Sequence, residues 1–376
     1  MNIILLYGGK SGEHEISLLS CAAIARNMNP RNQIKLVSIT KDGRWYLEDD
    51  ELLDDLRKNP QAALSIHPIE KQRVSIVPGG GREKAFAVAD YYIPCDVAFP
   101  VLHGSFGEDG TVQGLLEIAG VPYVGCGVLA SALAMDKETA KILWQAAGLP
   151  VVPYVAITRA DVNDSVRYDM KVEEAISKLG FPLFVKPCAV GSSNGASRAT
   201  NEKQLSVALM DAFQWDNKVL IEKALNVREI ECSVTGNSIT CSADKPETAP
   251  SVYGPGEIKP SHTFYDYSAK YTDPNGAKLQ IPADIPGQQA AEIRELALKA
   301  YSVINASGLS RVDFFIDRDT GKIYINEVNT MPGFTSISMF PKLCDSTGLD
   351  FTTLTDLLCA EAQARFKARS LLRTSR

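Results

Sequence analysis

Apolar runs and amphipathic stretches alternate through the first third of the chain. Ile3–Tyr7 is an unbroken apolar run closed by Gly8-Gly9, a helical pattern spans about Glu15–Met28, and Ile34–Thr40 is apolar again. Strand, glycine turn, helix and strand make a βαβ unit, which predicts a parallel sheet. Residues 64–93 are more β-like, with Gly79-Gly80-Gly81 as a hairpin tip. Asp96–Leu102 reads as a buried strand, followed by a Gly-rich loop, a helix near Thr111–Ala119 and a short strand at Pro122–Val124. The pattern shifts near 126–150, where helices at about Val128–Ala134 and Lys137–Ala147 stop at Gly148-Leu149-Pro150.

A smaller unit follows. It has strands at Val151–Thr158, Leu183–Lys186 and Lys218–Glu222 and helices near 171–179 and 201–214. The last stretch holds strands at Glu229–Thr235, Ser238–Cys241, Ser310–Asp317 and Lys322–Val328, flanked by helices near 287–306 and 350–369. Residues 244–280 show no periodicity, and a loop that long inside a compact domain is usually functional. The fold class expected is α/β, turning to α+β in the C-terminal part.

Composition narrows the function classes. The 376 residues are 45% hydrophobic and 22% charged, an ordinary globular balance. A net charge of −6 argues against a general nucleic-acid or anionic-membrane binder. Eight cysteines are scattered without a C-x-x-C pair, so zinc-ligand spacing is absent and a reducing, cytoplasmic setting is expected. MNIILLYGGK reads as a first strand and not as a signal peptide, and no run of about 18 apolar residues suggests a membrane span.

Several segments carry chemistry. In Ser310–Asp317, alternation puts Arg311, Asp313 and Phe315 on one face; in the next strand Ile323, Ile325, Glu327 and Asn329 share a face. The turn Arg318–Gly321 joins them as a hairpin, and an odd-length turn sets Asp313 opposite Glu327. Two such carboxylates repel unless a cation intervenes, and Asp, Glu and Asn oxygens suit Mg²⁺. A solvated polar face is the competing account. Lys186 ends a strand that opens into Val190-Gly-Ser-Ser-Asn-Gly195, whose backbone N–H groups suit phosphate oxygens. Taken alone, that loop is better explained as a surface turn. Glu222 and Glu229 flank a connection that could read an adenine edge and ribose hydroxyls, although exposed strand charge accounts for them as well. Glu13, in a glycine turn before a helix, suits a ligand ammonium better than a phosphate, or is simply an N-terminal helix charge. His103 sits at a strand end, where a lone histidine is more often structural.

Together these segments make the chain similar to a known family. GGKSGEHEIS (8–17), LHGSFGEDGTVQGLLE (102–117), MDK (135–137), VKPCAVGSSNG (185–195), TFYDYSAKY (263–271), SRVDF (310–314) and NEVNTMPGFTSISMFP (326–341) occur in order. The chain resembles the D-alanine–D-alanine ligases of the ATP-grasp superfamily from Tyr7 to about Phe351. The resemblance implies an ATP-grasp fold behind an N-terminal parallel-sheet domain. It implies units at 1–126, 127–223 and 224–376, the last holding the metal site and a lid at 253–276. It implies ATP-driven joining of two D-alanines through an acyl phosphate, for peptidoglycan synthesis, with two Mg²⁺ (or Mn²⁺) ions, and commonly a homodimer.

Residue roles follow from the same resemblance. Glu13 would take the first ammonium with His103 nearby, and Ser192 would link Glu13 to Tyr271. Asp313, Glu327 and Asn329 would hold the metals. Lys137, Lys186 and Lys270, with Ser192, Ser193 and Asn326, would face ATP. Glu222, Lys223, Leu225, Glu229 and Phe264 would line the adenosine pocket. Arg311 and the Gly333 N–H would stabilise the oxyanion, and Ser338, next to Met339, would orient the second carboxylate. Tyr271 with Met339 favours D-alanine over D-lactate or D-serine. Cys188-Ala189-Val190 departs from the family pattern, and Asp244 and Glu247 match nothing assignable.

Overall fold

The computed structural model describes residues 1–237, 239, 249–260 and 277–373. Phe264, Lys270 and Tyr271 of the expected lid, Ser238, Thr240 and Cys241 of the expected strand, and Asp244 and Glu247 lie outside the described residues.

Strand β1 (Asn2–Gly8) runs parallel to β2 (Gln33–Ile39), with β3 (Trp45–Leu47) antiparallel at the edge. Ile3–Tyr7 of β1 is an unbroken apolar run because both of its faces are covered, as parallel strands require. Ile3, Leu5 and Tyr7 pack into one core with Cys21 and Ile24 of the helix His14–Asn27 and Leu358 of the helix Phe351–Ser370. Ile4 and Leu6 pack into the other core, beside Leu116 of the helix Thr111–Ala119. Gly8, at φ +93°, lets β1 turn into its helix, since a Cβ there would lie 2.3 Å from the Ile39 carbonyl oxygen.

A meander follows. β4 (Val74–Ile76), β5 (Phe86–Val88) and β6 (Tyr91–Ile93) form a small antiparallel sheet. The Gly79–Gly81 run lies, as expected, in the connection 77–85 of the antiparallel β4–β5 hairpin. The Lys84 and Ala85 N–H groups bond back to the Gly80 and Gly81 carbonyls and close a helical turn at Gly81–Lys84. A second, tight turn at Ala89-Asp90 joins β5 to β6. β7 (Val97–Val101) returns to pair with β1, and Pro122–Val124 supplies only a single bridge, Tyr123 to Ala98.

Two antiparallel sheets make up the rest. β8 (Tyr154–Thr158), β9 (Leu183–Pro187), β10 (Ser197–Ala199) and β11 (Lys218–Lys223) lie in the order β10-β9-β11-β8. The helices Ser165–Leu179 and Glu202–Trp215 bury Ala175, Leu205, Leu209 and Phe213 against one face. The second sheet is built from β12 (Val227–Asn237), β13 (Ser251–Pro260), β14 (Ala277–Gln280), β15 (Ser307–Asp317) and β16 (Ile323–Asn329), in the order β14-β13-β12-β15-β16. Ile293, Ala297 and Tyr301 of the helix Gly287–Val303 cover one face. The other face opens, with β9 and β11, onto a cavity of about 1120 Å³ that reaches the loops after β1 and β7.

Candidate active site

The β15–β16 hairpin sets out the acidic wall of the cavity. Asp313 pairs with Glu327, as the sequence predicts, but the register comes from a bulge and not from the turn. Phe314 pairs with Ile325 while Asp313 pairs with Glu327, which leaves Asn326 as the extra residue. The bulge also corrects the expected face. Ile323, Ile325 and Val328 join the core, while Asn326, Glu327 and Asn329 all line the cavity. Strict alternation would have put Ile325 beside Glu327. On the other side of Asp313, Glu231 of β12 is its cross-strand partner. Three carboxylates therefore stand in a row across β12, β15 and β16.

Arg311 holds the first two carboxylates of that row together. Its Nε and Nη2 donate to the two Asp313 oxygens at 2.7 and 2.6 Å, and Nε lies 3.0 Å from a Glu231 oxygen. Asn329 Nδ2 donates to Asp313 at 2.9 Å. Burial opposes the guanidinium charge, but Asp313 and Glu231 outweigh it and keep Arg311 permanently protonated.

A cationic wall faces the acidic one. Lys137 Nζ lies 3.6 Å from Glu327 and donates to the Val190 carbonyl at 2.9 Å. Lys186 Nζ lies 2.8 Å from Glu222 and donates to Asn326 Oδ1 at 3.1 Å. The other Glu222 oxygen lies 2.8 Å from Nζ of the fully buried Lys141. Burial would raise the Glu222 carboxyl, yet the two lysines hold it below the usual carboxylate range. One carboxylate cannot neutralise two cations, and burial holds Lys141 below the usual lysine range.

The Gly-Ser loop joins this region to the N-terminal unit. Ser192 and Ser193 adopt φ of +54° and +59°, and Ser192 Oγ donates to Glu13 at 2.5 Å. A Cβ on Gly191 or Gly104 would lie 2.7 or 2.6 Å from a Glu13 oxygen, so only glycines fit around that carboxylate. Across the cavity, Ser338 Oγ accepts the Thr335 N–H at 2.9 Å, and a Cβ on Gly333 would meet that Oγ at 2.8 Å.

Comparison with known proteins identifies the family. The family profile "D-ala D-ala ligase N-terminus" matches residues 2–126, and "D-ala D-ala ligase C-terminus" matches 143–360. The chain belongs to the D-alanine–D-alanine ligase family. A relative named D-alanine–D-alanine ligase from Treponema denticola is 50% identical over the whole length of both chains. Another from Heliobacterium modesticaldum is 44% identical over 100% of this chain and 98% of its own. The solved D-alanine-D-alanine ligase of Coxiella burnetii superposes with a TM-score of 0.80 at 31% identity, covering 98% of this chain and 96% of its own. The VanG D-Ala:D-Ser ligase of Enterococcus faecalis gives 0.79 at 34% identity, covering 96% and 99%. The fold is the ATP-grasp fold with an N-terminal domain.

The cavity brings together every described residue that the family resemblance singles out. Lys223, Leu225 and Glu229 line one end of it, with the Lys223 ammonium donating to the Gly180 carbonyl at 3.3 Å. Met339 lines it beside Ser338 and packs on Leu343. His103 lines it too, but both of its nitrogens are engaged. One lies 2.8 Å from the Met331 carbonyl oxygen and the other 3.0 Å from Ser20 Oγ. Burial lowers its pKa, so the imidazole is a neutral strut.

Among the described residues no group of three or more His, Cys, Asp or Glu side chains could hold a metal unaided. The family implies ATP and a divalent metal, and the donor set fits that use. Mg²⁺ binds through one or two carboxylates and completes its shell with phosphate and water. Asp313, Glu327 and Asn329 supply such a partial set, opposite lysines suited to phosphate.

Three site residues escaped the sequence reading: Glu231, Lys141 and Glu108. Glu108 is buried, and its two oxygens accept the Gly104 and Met331 N–H groups at 2.9 Å each. Burial, then the nearby Glu13, pushes its pKa up to about 7. Its place in HGSFGEDG was the one available signal. Lys141 reads in sequence as one more helix charge, and Glu231 as a strand charge.

Proposed function

We propose that this cavity joins two D-alanines into D-alanyl-D-alanine at the expense of ATP, supplying peptidoglycan precursor synthesis. The observation that carries the reading is a single cavity lined by three sets: the Glu13–Ser192 pair, the Asp313–Glu327–Asn329 set, and Lys137 with Lys186. An ammonium acid, a metal–phosphate group and an acyl transfer centre each find complementary charge there.

Glu13 binds the ammonium of the first D-alanine. A carboxylate oxygen of that substrate attacks the γ-phosphorus of ATP, the bond to the β–γ bridging oxygen breaks, and ADP leaves. The amine of the second D-alanine then attacks the acyl-phosphate carbon. The tetrahedral adduct expels inorganic phosphate, and the amine gives up a proton as the amide forms. Arg311 and the Gly333 N–H stabilise the negative charge on the carbonyl oxygen, and Ser338 orients the second carboxylate. Lys137 and Lys186, with Ser192, Ser193 and Asn326, hold phosphates. Glu222, Lys223, Leu225 and Glu229 hold adenosine. Asp313, Glu327 and Asn329 would hold two divalent ions, Mg²⁺ or Mn²⁺, which when bound neutralise phosphate charge. Positioning and electrostatics do most of the work.

The division at 1–126, 127–223 and 224–376 fits the separate sheets. A cytoplasmic homodimer belongs to the same proposal, and light scattering on the purified protein tests the assembly.

The test is phosphate release with D-alanine alone and with D-lactate or D-serine added, with products identified by mass. D-alanyl-D-alanine as main product supports the reading. The VanG neighbour is a D-Ala:D-Ser ligase, which makes D-serine the second reading, because the fold alone does not separate the acceptors. Tyr271 and Met339 favour D-alanine, and a main product of D-alanyl-D-serine would overturn that choice.

A further inference from the structure

We propose that Glu108 is a positioning residue that sets the spacing between the two amino-acid subsites. The proposal rests on the ligase reading above. Glu108 stands in the loop after β7, on the N-terminal unit. One of its oxygens holds the Gly104 N–H, and Gly104 packs directly on the Glu13 carboxylate. The other holds the N–H of Met331, 223 residues away in the loop after β16. Two residues beyond Met331 is Gly333, against Ser338 Oγ. A single buried carboxylate thus ties the ammonium end of the first subsite to the loop that carries the oxyanion and second-carboxylate groups.

Neighbouring contacts brace the same link. His103, four residues before Gly107 and facing the same loop, takes the Met331 carbonyl, so Met331 is held at both its N–H and its C=O. Thr330 Oγ1 donates to the backbone carbonyl of Glu108 at 3.4 Å. Ser20 Oγ contacts His103 and accepts the Phe334 N–H at 3.2 Å, which pins the loop on the far side of Gly333. Both Glu108 oxygens are engaged by backbone donors, so its effect passes through Gly104 and Met331. An amine must meet an acyl phosphate at bonding distance, and a misplacement of about 1 Å can cost about 100-fold in rate. An acyl phosphate that waits for a displaced amine is lost to water.

Coupling is therefore the readout: phosphate released per dipeptide formed, from D-alanine, ATP and Mg²⁺. In Glu108→Gln the amide nitrogen faces one of the two N–H groups and cannot accept it. We expect dipeptide formation to fall about 10- to 100-fold. Phosphate per dipeptide should rise at least threefold, with the KM for ATP within twofold of wild type. Glu108→Asp keeps the charge but is one methylene shorter and cannot span both donors, so it should uncouple as well; it carries the test if the Gln variant does not melt cooperatively. Wild-type coupling in the folded variants, at whatever rate, would overturn the proposal, as would parallel loss of ATP binding and ligation. A wild-type protein that forms no dipeptide would instead remove the ligase reading, and this proposal with it.

Discussion

Glu222 offers the sharpest test of how the phosphate wall is held together. Its side chain is 3% exposed and its oxygens lie 2.8 Å from Lys141 and 2.8 Å from Lys186. At an effective dielectric constant of about 20, each contact is worth about 6 kcal/mol of gross attraction. Desolvation of three charges offsets most of that, so the triad adds little net stability as built. Removing its centre is different. Glu222→Gln leaves two ammoniums near one another with no carboxylate, one of them fully buried, and should cost about 3–5 kcal/mol. Lys141→Met should cost less, because Glu222 keeps Lys186. The double variant should be more stable than Glu222→Gln alone, since the stranded cation is gone. Urea denaturation of the four proteins gives a double-mutant cycle, and we expect coupling of at least about 1.5 kcal/mol. The pH dependence checks the sign. Lys141 already titrates below the ordinary lysine range, and losing Glu222 lowers it further. The unfolded chain then binds more protons than the native one below the normal lysine pKa. Glu222→Gln should therefore regain stability relative to wild type as pH rises from 7 to 9. Additive losses, or a Glu222→Gln loss under about 1 kcal/mol, would refute this account of the triad.

Three further outcomes follow from the same geometry. Glu327→Gln, which keeps the shape but not the charge of a proposed metal ligand, should lower D-alanine-dependent phosphate release more than about 100-fold with an unchanged melting temperature; unchanged turnover would remove the metal assignment. Ser192→Ala deletes the 2.5 Å hydrogen bond to Glu13. A bond to a charged group is worth about 1.5–3 kcal/mol, so the KM for the first D-alanine should rise at least about tenfold and by more than the KM for ATP; an effect confined to ATP would count against the link. Glu361 is pushed up to about 7 by burial, against the pull of Arg365. It supports folding below the normal carboxylate range and loses that support as pH rises through 7, so Glu361→Gln should stabilise the protein by about 1 kcal/mol at pH 8 and be neutral at pH 5; a pH-independent effect in denaturant titrations would contradict the sign.

What could be read from the chain alone was local. The βαβ start and the helix stops depend on periodicity and turn residues within about thirty positions; the Asp313–Glu327 pairing was expected from the turn but is set by a bulge. The face of Asn326 was not legible, because a bulge is set by what β15 and the lysine wall demand of β16 and not by β16's own alternation. The glycine run at 79–81 was legible for the local reason, since it falls in the connection between the paired strands β4 and β5.

The residues that were missed share one property. Glu231, Lys141 and Glu108 each gain their role from a partner on another element: Arg311, Glu222 and Met331. Read singly, each is an unremarkable charge. Their burial is what makes them expensive to leave unpaired, and so makes the pairing informative. In this protein the groups proposed to meet substrate lie in recognisable motifs, while Glu231 and Lys141 lie outside them and Glu108 lies inside one without standing out. A chemically intact set of motifs therefore does not by itself guarantee a coupled ligase. If Glu108 uncouples phosphate release from dipeptide formation while Glu13, Arg311 and Glu327 remain in place, then ligation depends on the spacing between subsites as well as on their contents.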